Sequence, residues 1–183
     1  MALLEQRSGQ GEIDLLYGDE TQVSEQGYVP YGWQFKDEDV AIASAKGARM
    51  NCFGLLARNN CFVHATTTRN ITADFIIEQL DRFSFQINKH TVIVLDNAKV
   101  HQCKKMKDIQ QIWAGRKLFI FFLPPYSPHL NIIERLWKEL KARWVRPEDY
   151  QDTQALFYSL NRILNNIGKN LFLNFKPFQI NLK

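Results

Sequence analysis

The sequence predicts one α/β domain built on a mixed five-stranded sheet, with three antiparallel strands, then parallel strands, and helices on both faces. Three observations lead to this fold class. Strands with a two-residue apolar period are grouped early in the chain, two uninterrupted apolar strands follow later, and stretches with helical spacing lie between and after them. The 183 residues suffice for one well-buried domain and are too few for two full-sized ones.

The first three predicted strands precede any long helix. EIDLLYGDE forms the first strand, because its apolar residues recur at every second position and Asp19, at its end, falls on the same side as Tyr17. A connection rich in Gly, Pro and aromatic residues follows, GYVPYGWQFKDED. RMNCFGLLA and CFVHATTT then flank an Asn-Asn tip and predict an antiparallel pair.

The rest of the chain alternates helices and strands. Thr72 is the predicted N-cap of the helix ADFIIEQLDRF. TVIVLDNA and KLFIFFL predict strands buried on both faces, the first ending at Asp96, and the polar stretch KVHQCKKMKDIQQIWAG between them predicts a helix closed by Gly115. The turn PPYSPHL leads into the helix NIIERLWKELKARW, and a last helix, TQALFYSLNRILNNIG, ends at Gly168.

Composition limits the classes of function. Apolar residues make up 45% of the chain and aromatic residues 13%, enough to fill a core, so we do not expect disorder. The net charge of +4 is compatible with a polyanionic partner. No window approaches the ~18 apolar residues of a membrane span, and no signal peptide is evident. These two observations predict a soluble, cytoplasmic protein. Three cysteines without a CxxC pair suggest neither a disulfide framework nor a zinc site.

Three carboxylates stand where an active site is expected in an open α/β sheet. Asp19 and Asp96 each end a predicted core strand, and ligands gather at such strand ends. Glu134 lies at the edge of the apolar stripe of the helix after PPYSPHL, with Lys138 and Lys141 beside it. A carboxylate at that position is neither in the core nor fully in water, so it can be directed across the sheet.

Three converging acidic groups repel one another and therefore require a cation. A pair of Mg²⁺ ions meets this need, because Mg²⁺ prefers oxygen ligands. Two such ions about 4 Å apart hold the attacking and leaving oxygens of an in-line phosphoryl displacement. The pattern thus predicts a site that cleaves or joins phosphodiesters.

Each carboxylate also has an ordinary structural interpretation when it is taken alone. Asp19 caps a turn, Asp96 forms an Asx turn with Asn97, and Glu134 pairs with Lys138 one helical turn later. Glu20 points away from Asp19 by strand parity and ranks below it as a ligand. Only the joint placement of the three carboxylates favours a catalytic site.

The segments YGDET, VIVLDNAKVH and FFLPPYSPHLNIIERLW resemble, in this order, the three catalytic blocks of the bacterial insertion-sequence transposases of the IS630 group, relatives of the Tc1/mariner elements. The resemblance runs from about Gly11 to Phe175. It implies an RNase H-like fold and a DDE triad of Asp19, Asp96 and Glu134 that binds two Mg²⁺ or Mn²⁺ ions. It also implies phosphodiester hydrolysis at each transposon end, followed by attack of the freed 3′-hydroxyl on target DNA at a TA dinucleotide.

Two features depart from that family. Ile132 stands where the family usually has proline, and proline is favoured in the first turn of a helix, so we expect a looser helix entry. Family members also carry helix-turn-helix modules ahead of the catalytic domain, whereas this chain begins almost at the first catalytic strand. We therefore expect residues 1–183 to be a single catalytic domain, either a fragment or a separately encoded half that works with a separate DNA-binding subunit.

Basic residues near the carboxylates are candidate DNA contacts, because phosphates attract cations irrespective of sequence. The candidates are Lys99, His101, Lys104, Lys105, Lys138 and Lys141. A solvated basic helix face is the alternative. His101 either supports the metal ligands, contacts a phosphate or lies on the surface without a role. Trp33 either stacks on a DNA base or packs on its own hairpin.

The sequence thus predicts a DNA transposase catalytic domain in the bacterial cytoplasm, associated with the nucleoid when bound to DNA. A homodimer is expected in the DNA complex, because transposition joins two ends. Two alternatives stay open: a host nuclease of the same fold that cleaves without strand transfer, and an inactive DNA-binding remnant of a mobile element. A small-molecule binder is disfavoured, since no glycine-rich phosphate loop follows any strand.

Overall fold

The computed structural model describes residues 1–25, 47–98, 101, 103–125 and 127–175. Trp33 and Lys99 lie outside the described residues. The helices are α1 (Ala2–Gly9), α2 (Ala73–Ser84), α3 (Lys104–Gly115), α4 (Ile133–Glu139) and α5 (Thr153–Asn166). The strands are β1 (Asp14–Ser24), β2 (Arg49–Ala57), β3 (Phe62–Thr67), β4 (Thr91–Leu95) and β5 (Leu118–Phe122).

The five strands form one sheet in the order β3-β2-β1-β4-β5. β1 pairs antiparallel with β2, and β2 with β3, whereas β4 is parallel to both β1 and β5. A tight turn joins β2 to β3 through Asn60, whose φ of 65° is tolerated better by Asn than by most residues. β4 and β5 each follow a helix, as parallel neighbours require. The predicted mixed sheet is confirmed.

Helices cover both faces of this sheet, as predicted. Strand alternation divides the buried apolar residues into two clusters. On the α4/α5 face, the cluster includes Tyr17, Val94, Leu136, Trp137 and Leu160. On the α2/α3 face, the cluster includes Leu16, Ile93, Leu80, Met106 and Trp113. Neighbouring residues of one strand therefore serve opposite faces, and this decides where each polar side chain of β1 points.

The prediction that Asp19 ends its strand is wrong, because β1 continues to Ser24. β1 pairs with β2 all the way to Ser24 and Arg49. On its other side its last parallel partner is Val94 of β4, opposite Tyr17. Asp19 therefore lies in mid-strand, held by β2 on one side and beyond the last pair with β4 on the other.

Several helix ends also differ from the prediction. α3 begins at Lys104, well after Asp96, and Gly115 is its last residue while Lys117 takes the left-handed φ of 68°. The helix predicted as NIIERLWKELKARW is α-helical from Ile133 to Glu139 and then continues as a π turn over residues 140–144. The last helix ends at Asn166, and Gly168 follows with a φ of 78°.

Two helix starts show how side chains set the fold. Thr72 caps α2 as predicted, because its Oγ1 accepts a hydrogen bond from the Phe75 backbone N–H at 3.3 Å. α1 was not predicted from its sequence. It is tied to the domain by the buried Glu5, which accepts from the hydroxyl of Tyr17 and pairs with Arg58 Nε at 2.7 Å. None of the helices in the described part of the chain has the length and apolar character needed to cross a bilayer.

Candidate active site

Asp19 is directed toward the α4/α5 face of the sheet. Its Oδ2 accepts a hydrogen bond of 3.1 Å from the indole Nε1–H of Trp137. Burial first, and then the negative charges of Glu134, Glu20 and Asp96, together raise the pKa of the Asp19 carboxyl to about 7. The three predicted site carboxylates are therefore close enough to act on one another.

Asp96 follows directly after β4. Continued two residues past the last parallel pair, Tyr17 with Val94, the register of β1 and β4 places Asp96 beside Asp19. Asp96 Oδ1 accepts from the Ala98 backbone N–H at 3.0 Å, which is the Asx turn considered above. The same oxygen lies 2.7 Å from Nδ1 of His101, and this hydrogen bond holds the pKa of Asp96 below its usual value. The Asx turn therefore does not remove Asp96 from the candidate site.

Glu134 is exposed in the first turn of α4, which packs on the same face through its buried Ile133. Within the described residues Glu134 has no ion pair with Lys138. The helix entry is held by Asn131, whose buried Nδ2 donates to the carbonyl of Gly18 at 3.1 Å. Gly18 immediately precedes Asp19, so one hydrogen bond ties the start of α4 to the strand that carries the first carboxylate. This anchor stands beside Ile132, where the sequence suggested a looser entry.

His101 is fully buried, with 0% of its side chain exposed. Its Nδ1 lies 2.7 Å from Asp96 Oδ1, and its Nε2 lies 3.3 Å from Glu20 Oε2. Burial lowers the pKa of His101, but the hydrogen bond with Asp96 and the close negative charges of Glu20 and Asp96 outweigh it and raise the pKa to about 10. A charged imidazolium therefore bridges the two carboxylates at neutral pH. This buried position does not fit a phosphate contact and fits the alternative role of supporting Asp96.

The basic candidates fall into two groups. Lys141 is half-buried in the π turn, where burial lowers the pKa of its ammonium and the charges of Glu134 and Asp19 oppose that shift. Lys138 is exposed one turn after Glu134. Lys104 and Lys105 are exposed at the start of α3, on the α2/α3 face, where Lys105 pairs with Asp74 at 2.8 Å. Lys138 and Lys141 thus share the helix of Glu134, and Lys104 and Lys105 do not.

The chemistry of the three carboxylates fits divalent cations. Carboxylate oxygens are the ligands that Mg²⁺ and Mn²⁺ take. Burial and the charges of Glu134, Glu20 and Asp96 disfavour the ionised form of Asp19, and a divalent cation bound there would offset both effects. Within the described residues, however, no three His, Cys, Asp or Glu side chains are already gathered as a coordination sphere. Asp19, Asp96 and Glu134 are therefore suitable donors for a divalent cation, and they are not drawn together into one coordination sphere.

Sequence reasoning missed three supports of this site. Trp137 was assigned to the core by its place in the apolar stripe, and the signal for its second role was its indole N–H, which needs a partner when buried. Asn131 sits in an otherwise apolar helix entry, a position where a buried amide needs a partner. Glu20 was assigned correctly to the opposite face, but its contact with His101 depends on the turn after β4.

A family model described as DDE superfamily endonuclease matches residues 14–156 of this chain. The chain belongs to the DDE superfamily endonucleases. The matched region contains all three predicted site carboxylates. It runs from the first residue of β1 into α5, so the family covers the sheet and the helices on both of its faces.

Solved structures show the fold of this DDE endonuclease domain in other proteins. The Mos1 transposase paired-end complex with left transposon end matches 90% of this chain and 56% of its own chain, at 11% identity and a TM-score of 0.54. The catalytic core domain of BIV integrase matches 87% of this chain and 86% of its own, at 12% identity and a TM-score of 0.54. The predicted RNase H-like α/β fold is confirmed, and integrase and transposase catalytic cores share it.

A curated relative is an uncharacterized protein of Sinorhizobium fredii, y4pE/y4sA. It is 33% identical over 63 residues, which are 34% of this chain and 42% of the relative. The chain thus spans less than half of that protein and about half of the Mos1 transposase chain.

Proposed function

We propose that this chain is the catalytic domain of a DNA transposase of the IS630 group, related to Tc1/mariner. It hydrolyses phosphodiesters at transposon ends and joins the freed 3′-hydroxyl to target DNA. The observation that carries the proposal is the position of Asp19 on β1 and of Asp96 directly after β4, the neighbouring parallel strand, with Glu134 on a helix packed over the same face. Membership of the DDE endonuclease family and the likeness to Mos1 transposase support it.

In this proposal Asp19, Asp96 and Glu134 hold two Mg²⁺ or Mn²⁺ ions. When bound, the ions supply Lewis-acid stabilisation of an in-line phosphoryl displacement. Lys138 and Lys141, on the helix of Glu134, attract the phosphates of the DNA that enters the site. His101 holds Asp96 through Oδ1 at 2.7 Å, so that this carboxylate keeps its orientation while DNA binds.

The proposed partners are transposon-end and target DNA. Mos1 was solved with a transposon end and as a strand-transfer complex, which supports DNA as the partner of this chain. A homodimer that brings two ends together, and a separate DNA-binding subunit, are further proposals.

The test is nicking of supercoiled plasmid by the purified chain in Mn²⁺, in Mg²⁺ and with EDTA. Asp96→Asn and Glu134→Gln are compared with Asp108→Asn, a control aspartate exposed on α3. We expect metal-dependent nicking that falls at least about 100-fold in both site variants, since transition-state charge stabilisation of this kind contributes several kcal/mol. The control should match the wild type.

A joining assay then separates the enzymatic alternatives. A duplex bearing the end sequence of the encoding element and a free 3′-hydroxyl is incubated with plasmid, and covalent joining is measured. Joining supports the transposase. Metal-dependent nicking without joining supports a host nuclease, and equal activity of wild type and Asp96→Asn supports an inactive DNA-binding remnant.

A further inference from the structure

We propose that Trp137 is a positioning residue for Asp19, whose carboxylate it fixes for cation binding through the indole N–H. The inference rests on the proposed function, because it assigns a task to a residue that supports the same site. It adds Trp137, and the space that Gly54 provides for it, to the machinery of the reaction.

The hydrogen bond is suited to this task. Trp137 is 4% exposed, and its Nε1 lies 3.1 Å from Asp19 Oδ2. An indole N–H is a neutral group that donates and cannot accept. It therefore restrains one oxygen of the carboxylate without neutralising the charge that a cation needs. A lysine in the same place would compete with that cation.

The indole is held in a notch of the sheet whose floor is Gly54. Gly54 pairs with Asp19 across β1 and β2. A Cβ on Gly54 would lie 2.8 Å from Cη2 of Trp137 and 2.8 Å from Cε2 of Phe62, closer than real contacts allow. The Phe62 ring stands edge-on to the indole at 6.1 Å. β2 and β3 thus fix the position of the ring that binds the carboxylate of β1.

Trp137 also connects two of the carboxylates. It lies one helical turn after Glu134 on α4, so that helix supplies one proposed ligand and holds another. A displacement of α4 would move Glu134 and loosen Asp19 together. The notch at Gly54 resists such a displacement, because the indole is confined there.

The test compares Trp137→Phe with Trp144→Phe, the same substitution later in the same helical segment. Phe keeps an aromatic ring in the notch and removes the N–H. The loss of a group that orients a metal ligand typically lowers metal affinity about 10–100-fold. We expect Mn²⁺ affinity, measured by calorimetry on the protein without DNA, to fall about 10-fold in Trp137→Phe and to be unchanged in Trp144→Phe. The Mn²⁺ concentration for half-maximal nicking should rise by the same factor in Trp137→Phe and stay at the wild-type value in Trp144→Phe.

A second variant disturbs the same hydrogen bond by displacing the indole while its N–H is kept. Gly54→Ala keeps the indole but fills its notch, and we expect the same shift in Mn²⁺ affinity. Where a variant does not fold, the wild-type protein with ¹⁵N-labelled tryptophan is titrated with Mg²⁺. The Trp137 indole resonance should move and the Trp144 resonance should not.

Two results would overturn the inference and leave the proposed function standing. One is a wild-type Mn²⁺ affinity in Trp137→Phe, and the other is a Trp137 indole resonance that does not shift when Mg²⁺ is added. Asp19→Asn separates the two ideas. If wild type and Asp19→Asn bind Mn²⁺ equally, the metal site itself is refuted, and the role of Trp137 with it.

Discussion

At the scale of single residues, two neighbours on β1 serve the site from opposite faces of the sheet. Asp19 faces α4 and α5, where it meets Trp137. Glu20 meets His101, which in turn holds Asp96. Strand alternation directs the two side chains to opposite faces. Asp19 is itself a proposed ligand, and Glu20 supports a second one, Asp96, through His101. The buried imidazolium of His101 therefore links β1 to the turn after β4.

This link predicts the effect of removing the histidine. In His101→Asn the double contact with Asp96 and Glu20 is lost, and Asp96 keeps only the hydrogen bond from the Ala98 backbone N–H to hold its carboxylate. We expect the Mn²⁺ requirement for nicking to rise about 10-fold or more, as for other groups that orient metal ligands. The matched control is His90→Asn, an exposed histidine at the far end of β4. Equal Mn²⁺ requirements in His101→Asn and the wild type would contradict the link.

At the scale of elements, the segment of α4 and its π turn carries one proposed ligand, the residue that holds another, and the basic residues beside them. Glu134 lies in its first turn, Trp137 one turn later, and Lys141 in the π turn near the charges of Asp19 and Glu134. π turns within helices are frequent at functional sites, because the wider turn shifts the direction of the side chains that follow. The position of this segment over β1 therefore decides the geometry of the site.

The anchor of α4 predicts a loss of stability when it is removed. Asn131→Ala leaves the carbonyl of Gly18 without its partner in a buried place, which costs about 1–3 kcal/mol. Urea unfolding measures this change, and nicking should fall because Glu134 is no longer held. The control is Asn165→Ala, which removes an exposed amide bond to the Asn161 carbonyl on α5 and should cost under about 0.5 kcal/mol. Equal costs in the two variants would show that Asn131 is not an anchor.

At the scale of the whole molecule, the ionised carboxylates of the candidate site lower the free energy of unfolding of the metal-free protein. Burial of Asp19 beside other carboxylates raises its pKa from 3.8 to about 7, so the folded chain binds a proton more tightly than the unfolded chain. The free energy of unfolding of the metal-free protein should therefore fall as the pH rises from about 4 to about 7, and the whole penalty remains above that range.

This balance predicts that a substitution at the site stabilises the metal-free protein. In EDTA at about pH 8, Asp19→Asn should be more stable than the wild type by about 2 kcal/mol, given ~1.4 kcal/mol per pKa unit and some solvent screening. The difference should vanish near about pH 4, where Asp19 is protonated. Urea unfolding across this range checks it, with Asp108→Asn as the control. A difference that does not depend on pH would contradict the role of the carboxylate charge.

The sequence by itself determined the order and kind of most elements, and it singled out the three carboxylates that are proposed as the site. These features depend on local patterns: the two-residue period of β1, the apolar runs of β4 and β5, and the N-cap at Thr72 are all visible within a few residues. The family resemblance likewise depended on three short sequence segments, each of which can be read from residues that are neighbours in the chain.

Only the tertiary structure decided the features that depend on distant partners. β1 passes Asp19 because β2 pairs with it there, and His101 is buried because Glu20 and Asp96 meet around it. Trp137 reaches Asp19 because Gly54, on a third segment, leaves room for its ring. Each of these contacts joins residues far apart in the chain, and a sequence pattern reports only neighbours along it.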